Sequence, residues 1–406
     1  MAFRVRTVRD LEEFRAAVGS IGHYFGWQPT EEDGQRFSRL LPPERLHAAL
    51  DDGRIVAGAG VFPFELTVPG GPLRCAGVTV VGVLPSHRRR GLLTRLMRAQ
   101  LEDMRECGEP IAGLWASEET IYGRYGYGLA SFALRARVPR VWGGLAAGLP
   151  PREGRIRLVD HEEAMRLLPP AYERLRRRTV GFLSRPREWW ELRRLDDDPE
   201  RRFGAGPLNR AVLELDGRVA GWALYRVQQD NRDGHWRRNI RVAEAFGDGP
   251  AATREVWRFL LEIDWVDEVH AWMLPVDHPL RLVVARVNQL GLRLEDGLWV
   301  RLVDVGAALS AREYAADGRV TLEVATDPHV PDNAATWTLE DGVARRSRRR
   351  PDVRLGVDAL GATYLGGVSF AELAAAGRVE EASRGGLARA DALFRTPAAP
   401  WCPENF

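Results

Sequence analysis

Residues 78–97, VTVVGVLPSHRRRGLLTRLM, are the most constraining stretch of the chain. A β-rich run is followed by Pro85, three consecutive arginines and Gly91, and then by apolar residues at 93, 96, 97, 101 and 104. That is strand, turn and amphipathic helix in immediate succession. Arg88, Arg89 and Arg90 fall at or just before the helix N-terminus, where the macrodipole already places about half a positive charge. Three cations there cost free energy in an empty site. An anion held by the free N–H groups of the first turn reverses that penalty, and Gly91, having no Cβ, lets the backbone come close to it. The turn is a candidate pyrophosphate cradle; the alternative is a solvated basic turn. Neither GxxxxGK(S/T) nor GxGxxG occurs in it, so nucleotide hydrolysis and hydride transfer have no support.

The 406 residues suffice for two or three domains. With 58 basic against 56 acidic side chains the formal net charge is +2, which gives no global field for a polyanion. All 58 basic residues are arginine. The lack of lysine excludes Schiff bases and a P-loop lysine. Cys75, Cys107 and Cys402 are too few and too scattered for a disulfide framework or a zinc site, and the histidines form no HExxH pattern. No 18-residue apolar run and no signal-peptide core occur. These features predict a soluble, cytoplasmic protein without a metal, a nucleic-acid partner or a membrane partner.

Patterning divides the chain into three blocks. Residues 54–64 and 75–83 are strand-like, 110–116 is a short buried run, and the uncharged, Gly- and Pro-rich stretch 143–151 reads as a linker. Next come Arg/Glu-rich helical stretches at 161–178 and 185–195. Strands at 211–215 and 219–226 are joined by Asp216–Gly217, a hairpin signature. A strand end and an amphipathic helix fill 244–263, so the order echoes the first block and suggests a duplicated α/β unit. The last block has helices at 305–314 and 357–365 and strands at 320–324 and 335–339, a small α+β domain. Its basic run at 345–350, flanked by Asp341 and Asp352, reads as a solvated hairpin. The expected domains are 1–145, 150–299 and 300–406.

Residues 116–131, ASEETIYGRYGYGLAS, cannot be one regular helix: three tyrosines and three glycines fall within seven positions. They predict a tight turn leading into a strand at 129–137. A neutral phenol, with a pKa of about 10, can protonate a departing thiolate, whose conjugate acid has a reference pKa of about 8.5. A dry pocket makes that donor stronger still. The competing reading is a packed core edge, and it is favoured for Tyr125 and Tyr127.

Val81–Val83 followed by Arg88, Arg89, Arg90, Gly91 and Leu92 resembles motif A of the GCN5-related N-acetyltransferases (GNAT), with Leu93 departing from the usual small residue. Taken with the tyrosine segment and the C-terminal EN-F tail, the chain resembles the enhanced intracellular survival (Eis) family of that superfamily over its whole length. The resemblance implies an α/β architecture of two tandem GNAT-like folds, the second degenerate, and a sterol-carrier-protein-like α+β domain, to which DALGATYLGG at 358–367 corresponds. It implies acetyl-CoA as co-substrate. The backbone of Val81, Gly82 and Val83 would hold the pantetheine arm, and the turn from Arg88 through Leu93 and Thr94 the pyrophosphate. Ser117 and Glu118 are counted with them.

The same resemblance makes Tyr122 the general acid and the carboxylate of Phe406 the general base. An α-carboxylate has a reference pKa of about 3.3–3.7 and is ionised at neutral pH; desolvation raises its basicity. Without the resemblance the tail would read as a frayed terminus. The implied reaction is direct attack of an amine on the thioester, with aminoglycosides, polyamines or protein lysines as acceptors. His23, Tyr24, Phe25, Trp27 and Glu404 are candidates to line the acceptor site. Asn405 stands where the family has an acidic residue, which bears against aminoglycoside specificity. The implied assembly is a homohexamer, a dimer of trimers. A lipid- or CoA-binding carrier and a non-catalytic scaffold are the rival readings.

Overall fold

The computed structural model of the chain describes residues 3–232 and 234–406. Tertiary contacts gather them into two compact units. One holds the residues up to Ser131 with Gly297–Pro400 and Glu404–Phe406; the other holds Phe132–Asp296 and Trp401–Pro403.

The first unit opens with β1 (Arg4–Thr7), α1 (Leu11–Gly22), α2 (Glu31–Ser38), β2 (Leu46–Asp51), β3 (Arg54–Val68) and β4 (Gly71–Val83). Asp10 caps α1, and Thr30 with Asp33 forms a capping box on α2, satisfying first-turn N–H groups. Next come α3 (Leu92–Glu106), β5 (Ile111–Leu114), the single turn α4 (Glu119–Tyr122) and β6 (Gly128–Leu129). Strands β1 to β4 are antiparallel neighbours, whereas β4 and β5 are parallel, which requires the crossover that α3 supplies. The buried face of α3 is Leu92, Leu96, Met97, Gln100, Leu101 and Met104, close to the spacing read from the sequence.

The second unit contains β7 (Phe132–Pro139), β8 (Arg155–Leu158), α5 (His161–Arg176) and α6 (Arg187–Trp189), which continues as a π-turn over Trp190–Arg194. It goes on with β9 (Leu208–Leu215), β10 (Arg218–Arg232), β11 (His235–Gly247), α7 (Pro250–Glu262), β12 (Glu268–Leu274), α8 (Leu280–Val283) and β13 (Gly291–Asp296). The expected hairpin at Asp216–Gly217 is present, both residues having positive φ (49° and 72°). The strand order is β13-β7-β12-β11-β10-β9-β8. Thus β7, which follows the tyrosine segment directly, pairs with β12 and β13.

The chain then returns to the first unit: β14 (Trp299–Leu302) inserts between β5 and β6. The remainder is α9 (Val305–Ser310), β15 (Arg319–Val324), β16 (Thr336–Glu340), β17 (Val343–Arg346), β18 (Val353–Leu355), α10 (Val357–Thr363), α11 (Phe370–Ala375), β19 (Val379–Glu381) and α12 (Gly386–Phe394). Its sheet runs β17-β16-β15-β18-β19. Helix α9 stops four residues short of the expected 305–314. Just beyond it, the buried Arg312 turns inward and donates to the carbonyls of Tyr364 and Phe394, at the C-terminal ends of α10 and α12. No helix among the described residues is long and apolar enough to cross a membrane. The fold is α/β, two tandem GNAT-like folds with a C-terminal α+β portion, as the resemblance implied.

Helix α1 lies directly on two paired glycines, Gly58 of β3 and Gly82 of β4. A Cβ on Gly82 would stand 2.6 Å from the backbone N and Cα of Ile21, and one on Gly58 would meet the backbone of Ala17. Gly82→Ala should therefore destabilise the protein by about 1–3 kcal/mol, the usual cost of overpacking. Urea unfolding checks this, and an unchanged midpoint would show that α1 is free to shift.

Candidate active site

Strand β4 pairs with β5 over only three rungs, Cys75–Ile111, Ala76–Ala112 and Gly77–Gly113. Beyond Gly77, β4 runs on to Val83 with no strand partner on that side among the described residues. On its other side the register with β3 slips between Gly58 and Gly60, so that Val80 and Val81 together oppose Ala59. Val80 takes a left-handed φ of 47°, an outlier for a β-branched residue. Such a bulge bends the strand and disrupts the ladder locally. The backbone of Val81–Val83 is thereby turned away from β5 and left open along one edge.

The turn after β4 has the form the sequence suggested. Arg89 (φ 61°) and Gly91 (φ 79°) are both left-handed, and Gly91 is the N-cap of α3 with no side-chain cap. First-turn N–H groups are thus left for another acceptor. The three arginines differ, however. Arg90 lies 3.7 Å from Asp51 and over the Phe3 ring (4.5 Å), and Asp51 also holds His87 Nε2 at 3.1 Å. Arg88 stands 6.0 Å from the Tyr24 ring centroid, and neither it nor Arg89 has a carboxylate partner among the described residues. Tyr24 donates its hydroxyl to the Val83 carbonyl (2.6 Å). It stands at the end of β4, beside the stretch expected to hold the cofactor. His23, Tyr24 and Phe25 form a 3-10 turn after α1, with the rings of Phe25 and Trp27 exposed.

On the other side of the open edge is the tyrosine turn. Ser117 and Glu118 are exposed ahead of α4, and Glu118 accepts from Thr120. Tyr122, the last residue of α4, is buried with Val61, Ala76, Val78 and Met97, its ring 6.1 Å from that of Tyr127. Burial pushes its pKa up to about 12. A dry pocket therefore makes the phenol a weaker acid, contrary to the simple expectation, and keeps it protonated over the whole neutral range. The Tyr125 hydroxyl bonds Thr94 Oγ1 in the first turn of α3 (3.1 Å), pinning the tyrosine turn to that helix. Tyr125 and Tyr127 are otherwise core, as favoured from sequence.

The tail is packed. Glu404 is fully buried, and the Phe406 ring sits 5.2 Å from Phe64 and 6.3 Å from Phe62, in the space where Gly77 has no side chain. Phe62 pairs with Gly77 and Val61 with Val78, so strand alternation puts Phe406 and Tyr122 on opposite faces of β4 at the last rung of the β4–β5 ladder. In the second unit, the turn before α7 carries Asp248, paired with Arg218 (2.6 Å) and Arg178, and Pro250 removes a first-turn N–H. A carboxylate stands there in place of an arginine turn.

Sequence reasoning missed Val80, Asp51 and a buried network behind the tyrosine turn. In it, Arg301 on β14 is fully enclosed, donates to the Tyr125 carbonyl (2.7 Å) and pairs with the Asp327 carboxylate (2.7 and 2.9 Å). One signal was available: Arg301 is the lone charge in the apolar run WVRLV at 299–303.

Comparison with known proteins accords with this geometry. A profile for an acetyltransferase (GNAT) domain matches residues 4–130, another of the same description matches 181–302, and one for a sterol carrier protein domain matches 305–403. An uncharacterized N-acetyltransferase of Streptomyces coelicolor is 38% identical, with 100% of both chains covered. N-acetyltransferase Eis of Mycobacterium tuberculosis is 32% identical over 90% of this chain and 95% of its own. The chain belongs to the Eis family of acetyltransferases. The crystal structure of Eis1 from Mycobacterium abscessus is similar throughout, with a TM-score of 0.85, 34% identity and 100% of both chains covered. This Eis-family protein is an N-acetyltransferase, and its GNAT fold takes acetyl-CoA as co-substrate.

Within the enzyme's tyrosine turn, the Tyr127 hydroxyl is fully buried without a hydrogen-bond partner among the described residues. An unsatisfied buried hydroxyl costs about 1–3 kcal/mol. Tyr127→Phe should therefore leave thermal stability unchanged or raise it. A fall in the melting midpoint would mean that the hydroxyl has a partner in solution.

Proposed function

We propose that the enzyme transfers the acetyl group of acetyl-CoA directly to an amine, with Tyr122 as general acid and the Phe406 carboxylate as general base. The observation that carries this reading is the pairing of an uncapped, arginine-flanked helix N-terminus with a buried, neutral tyrosine, the two joined through Thr94 and Tyr125. The turn from Arg88 to Thr94 would bind the pyrophosphate, with Arg88 and Arg89 supplying charge and the N–H groups supplying direction. The open edge at Val81–Val83 would receive the pantetheine arm. Its N–H groups would also stabilise the oxyanion.

In the proposed reaction the acceptor ammonium loses a proton towards the Phe406 carboxylate, and the free amine attacks the thioester carbonyl. The tetrahedral intermediate collapses with loss of the CoA thiolate, which takes its proton from Tyr122. The amide nitrogen then gives up its second proton, which restores the Tyr122 phenol, and the proton on the Phe406 carboxyl passes to solvent, so that the acceptor ammonium and acetyl-CoA yield amide, CoA–SH and one H+. No covalent acetyl-enzyme is needed, and Cys75 and Cys107 lie outside the motif residues. The acceptor class is a polycationic amine: an aminoglycoside, a polyamine or a protein lysine. Phe25 and Trp27 offer exposed aromatic faces for a cation, and the position of Tyr24 on Val83 supports a cofactor-side role for that residue. A thiol-release assay with acetyl-CoA and a panel of these amines tests the proposal. No acceptor-dependent CoA release by folded protein would sink it.

Three expectations test the roles. Tyr122→Phe should lower kcat by about 10²-fold or more, the usual worth of a general acid, with little change in acetyl-CoA KM. Because Tyr122 acts only while protonated and burial moves its ionisation up to about 12, the wild-type kcat should hold through pH 10. An ordinary phenol would be half ionised near pH 10, and a decline centred there would show that burial does not raise the ionisation of the acid. Residues appended after Phe406 convert its carboxylate to an amide. They should abolish turnover while leaving the melting midpoint unchanged, and full activity in such a protein would exclude the tail carboxylate as base.

A further inference from the structure

We propose that the loop from Asp327 to Asn333, acting with Arg301, is a clamp that positions the tyrosine turn for proton donation. This rests on the reading of Tyr122 as the general acid. The clamp residues touch neither substrate nor reacting atoms; they are positioning residues.

The turn closes on itself through two backbone bonds, from the Tyr127 N–H to the Tyr122 carbonyl (3.3 Å) and from the Gly126 N–H to the Gly123 carbonyl (3.0 Å). Two consecutive carbonyls inside it are then held from outside. The Arg124 carbonyl accepts from His329 Nε2 (3.1 Å), and the Tyr125 carbonyl accepts from Arg301 Nη1 (2.7 Å). A carbonyl can only accept, so Nε2 carries the proton. The His329 ring also lies 5.2 Å from the Tyr125 ring.

The holding groups are themselves fixed. The Asp327 carboxylate takes both contacts from Arg301 Nη2, and it accepts from the N–H groups of His329 (3.1 Å) and Val330 (3.0 Å) and from Asn333 Nδ2 (3.0 Å). Asn333 continues to the Val303 carbonyl (3.1 Å) and the Val305 N–H (3.1 Å), on either side of the step from β14 to α9. Gly126 completes the fit. Its φ is 83°, and a Cβ there would run into Arg301 Nη1. Both side chains of the Arg301–Asp327 pair are wholly enclosed. A buried charge pair is a poor source of stability compared with apolar packing of the same volume, but it admits few arrangements. Here the arrangement it selects sets carbonyls two and three residues after Tyr122.

The test uses the full-length enzyme with a native C-terminus and the acceptor found active in the amine panel. Asp327→Asn should lower kcat by about 10- to 100-fold, comparable to partial loss of a general acid, with acetyl-CoA KM within about threefold. Asp327→Asn strands a buried guanidinium and can fail to fold. His329→Ala, at a half-buried site on the same loop, is the second variant and should lower kcat by several-fold. In a Tyr122→Phe background both losses should shrink to less than about twofold, because residues acting through one group are not additive. Amide hydrogen exchange over residues 119–129 should also speed up in both clamp variants. Undiminished losses in the Tyr122→Phe background, or unchanged exchange in that segment, would overturn the clamp. Unchanged kcat in Tyr122→Phe alone would instead overturn the general-acid reading, and the exchange rates would then decide the clamp by themselves.

Discussion

The three rungs shared by β4 and β5, ending at Gly77 and Gly113, and the divergence that follows them set the terms for the rest of the first unit. An ordinary sheet would continue the ladder and satisfy every backbone group. Here the bulge at Val80 and Val81 bends β4 away, at the cost of a left-handed valine. Strain of this kind persists only where surrounding structure holds it. Helix α1 does so from one face, where Gly58 and Gly82 allow its backbone to touch the sheet. Tyr24, in the turn that follows α1, draws the Val83 carbonyl in the same direction. The divergence is thus built into packing that involves no ligand.

The charges around the divergence are sorted by burial. At its open end, Arg88 and Arg89 are exposed and no carboxylate among the described residues answers them, which leaves them available to an anion, while Arg90 is neutralised by Asp51. At its closed end, Arg301 and Asp327 are wholly enclosed and matched. Removing one partner of such a pair costs about 3–5 kcal/mol, whereas an exposed pair is worth about 1 kcal/mol or less. An exposed arginine without a carboxylate and a buried, paired one are easily confused when only residue type is known. A guanidinium suits the buried role because its planar fork meets a carboxylate and a carbonyl at once, which an ammonium cannot do in fixed geometry.

Legibility in the sequence followed the range of the interaction. Strand, turn and helix at 78–97, the Asp216–Gly217 hairpin and the breaking of the tyrosine segment all depend on neighbours a few residues apart, and each was readable. The pairing of β7 with β12 and β13 and the insertion of β14 between β5 and β6 were not, because contiguous patterning carries no record of which distant strand completes a sheet. The tail is similar: the apolar residues of WCPENF can anchor it, but nothing in them says against which strands, and only the resemblance singled out Phe406. The distinction among the three arginines hung on Asp51, Phe3 and Tyr24, which are remote in sequence. Burial reversed one chemical expectation outright, since enclosure of Tyr122 raises its pKa.

A second divergence, within the other unit, shows what else such a gap can hold. Strands β11 and β12 run parallel from Asn239–Glu268 to Val242–Ala271 and then part, and Met273 on β12 is left-handed (φ 55°) beside a register shift. Trp401 lies against both strands. Its indole N–H donates to the Met273 carbonyl, its ring is 5.2 Å from Phe246 of β11 and 5.0 Å from Phe182, and its backbone N–H reaches the Val180 carbonyl (2.8 Å). Gly181 admits the Trp401 backbone where any Cβ would collide with it. The arginine turn is replaced by Asp248, whose carboxylate already engages Arg218 and Arg178. An indole edge and a pantetheine arm make the same demands on parted strands, namely apolar walls and an open carbonyl. A repeat of the fold that has lost its anion site can therefore keep its gap by filling it with part of the chain itself.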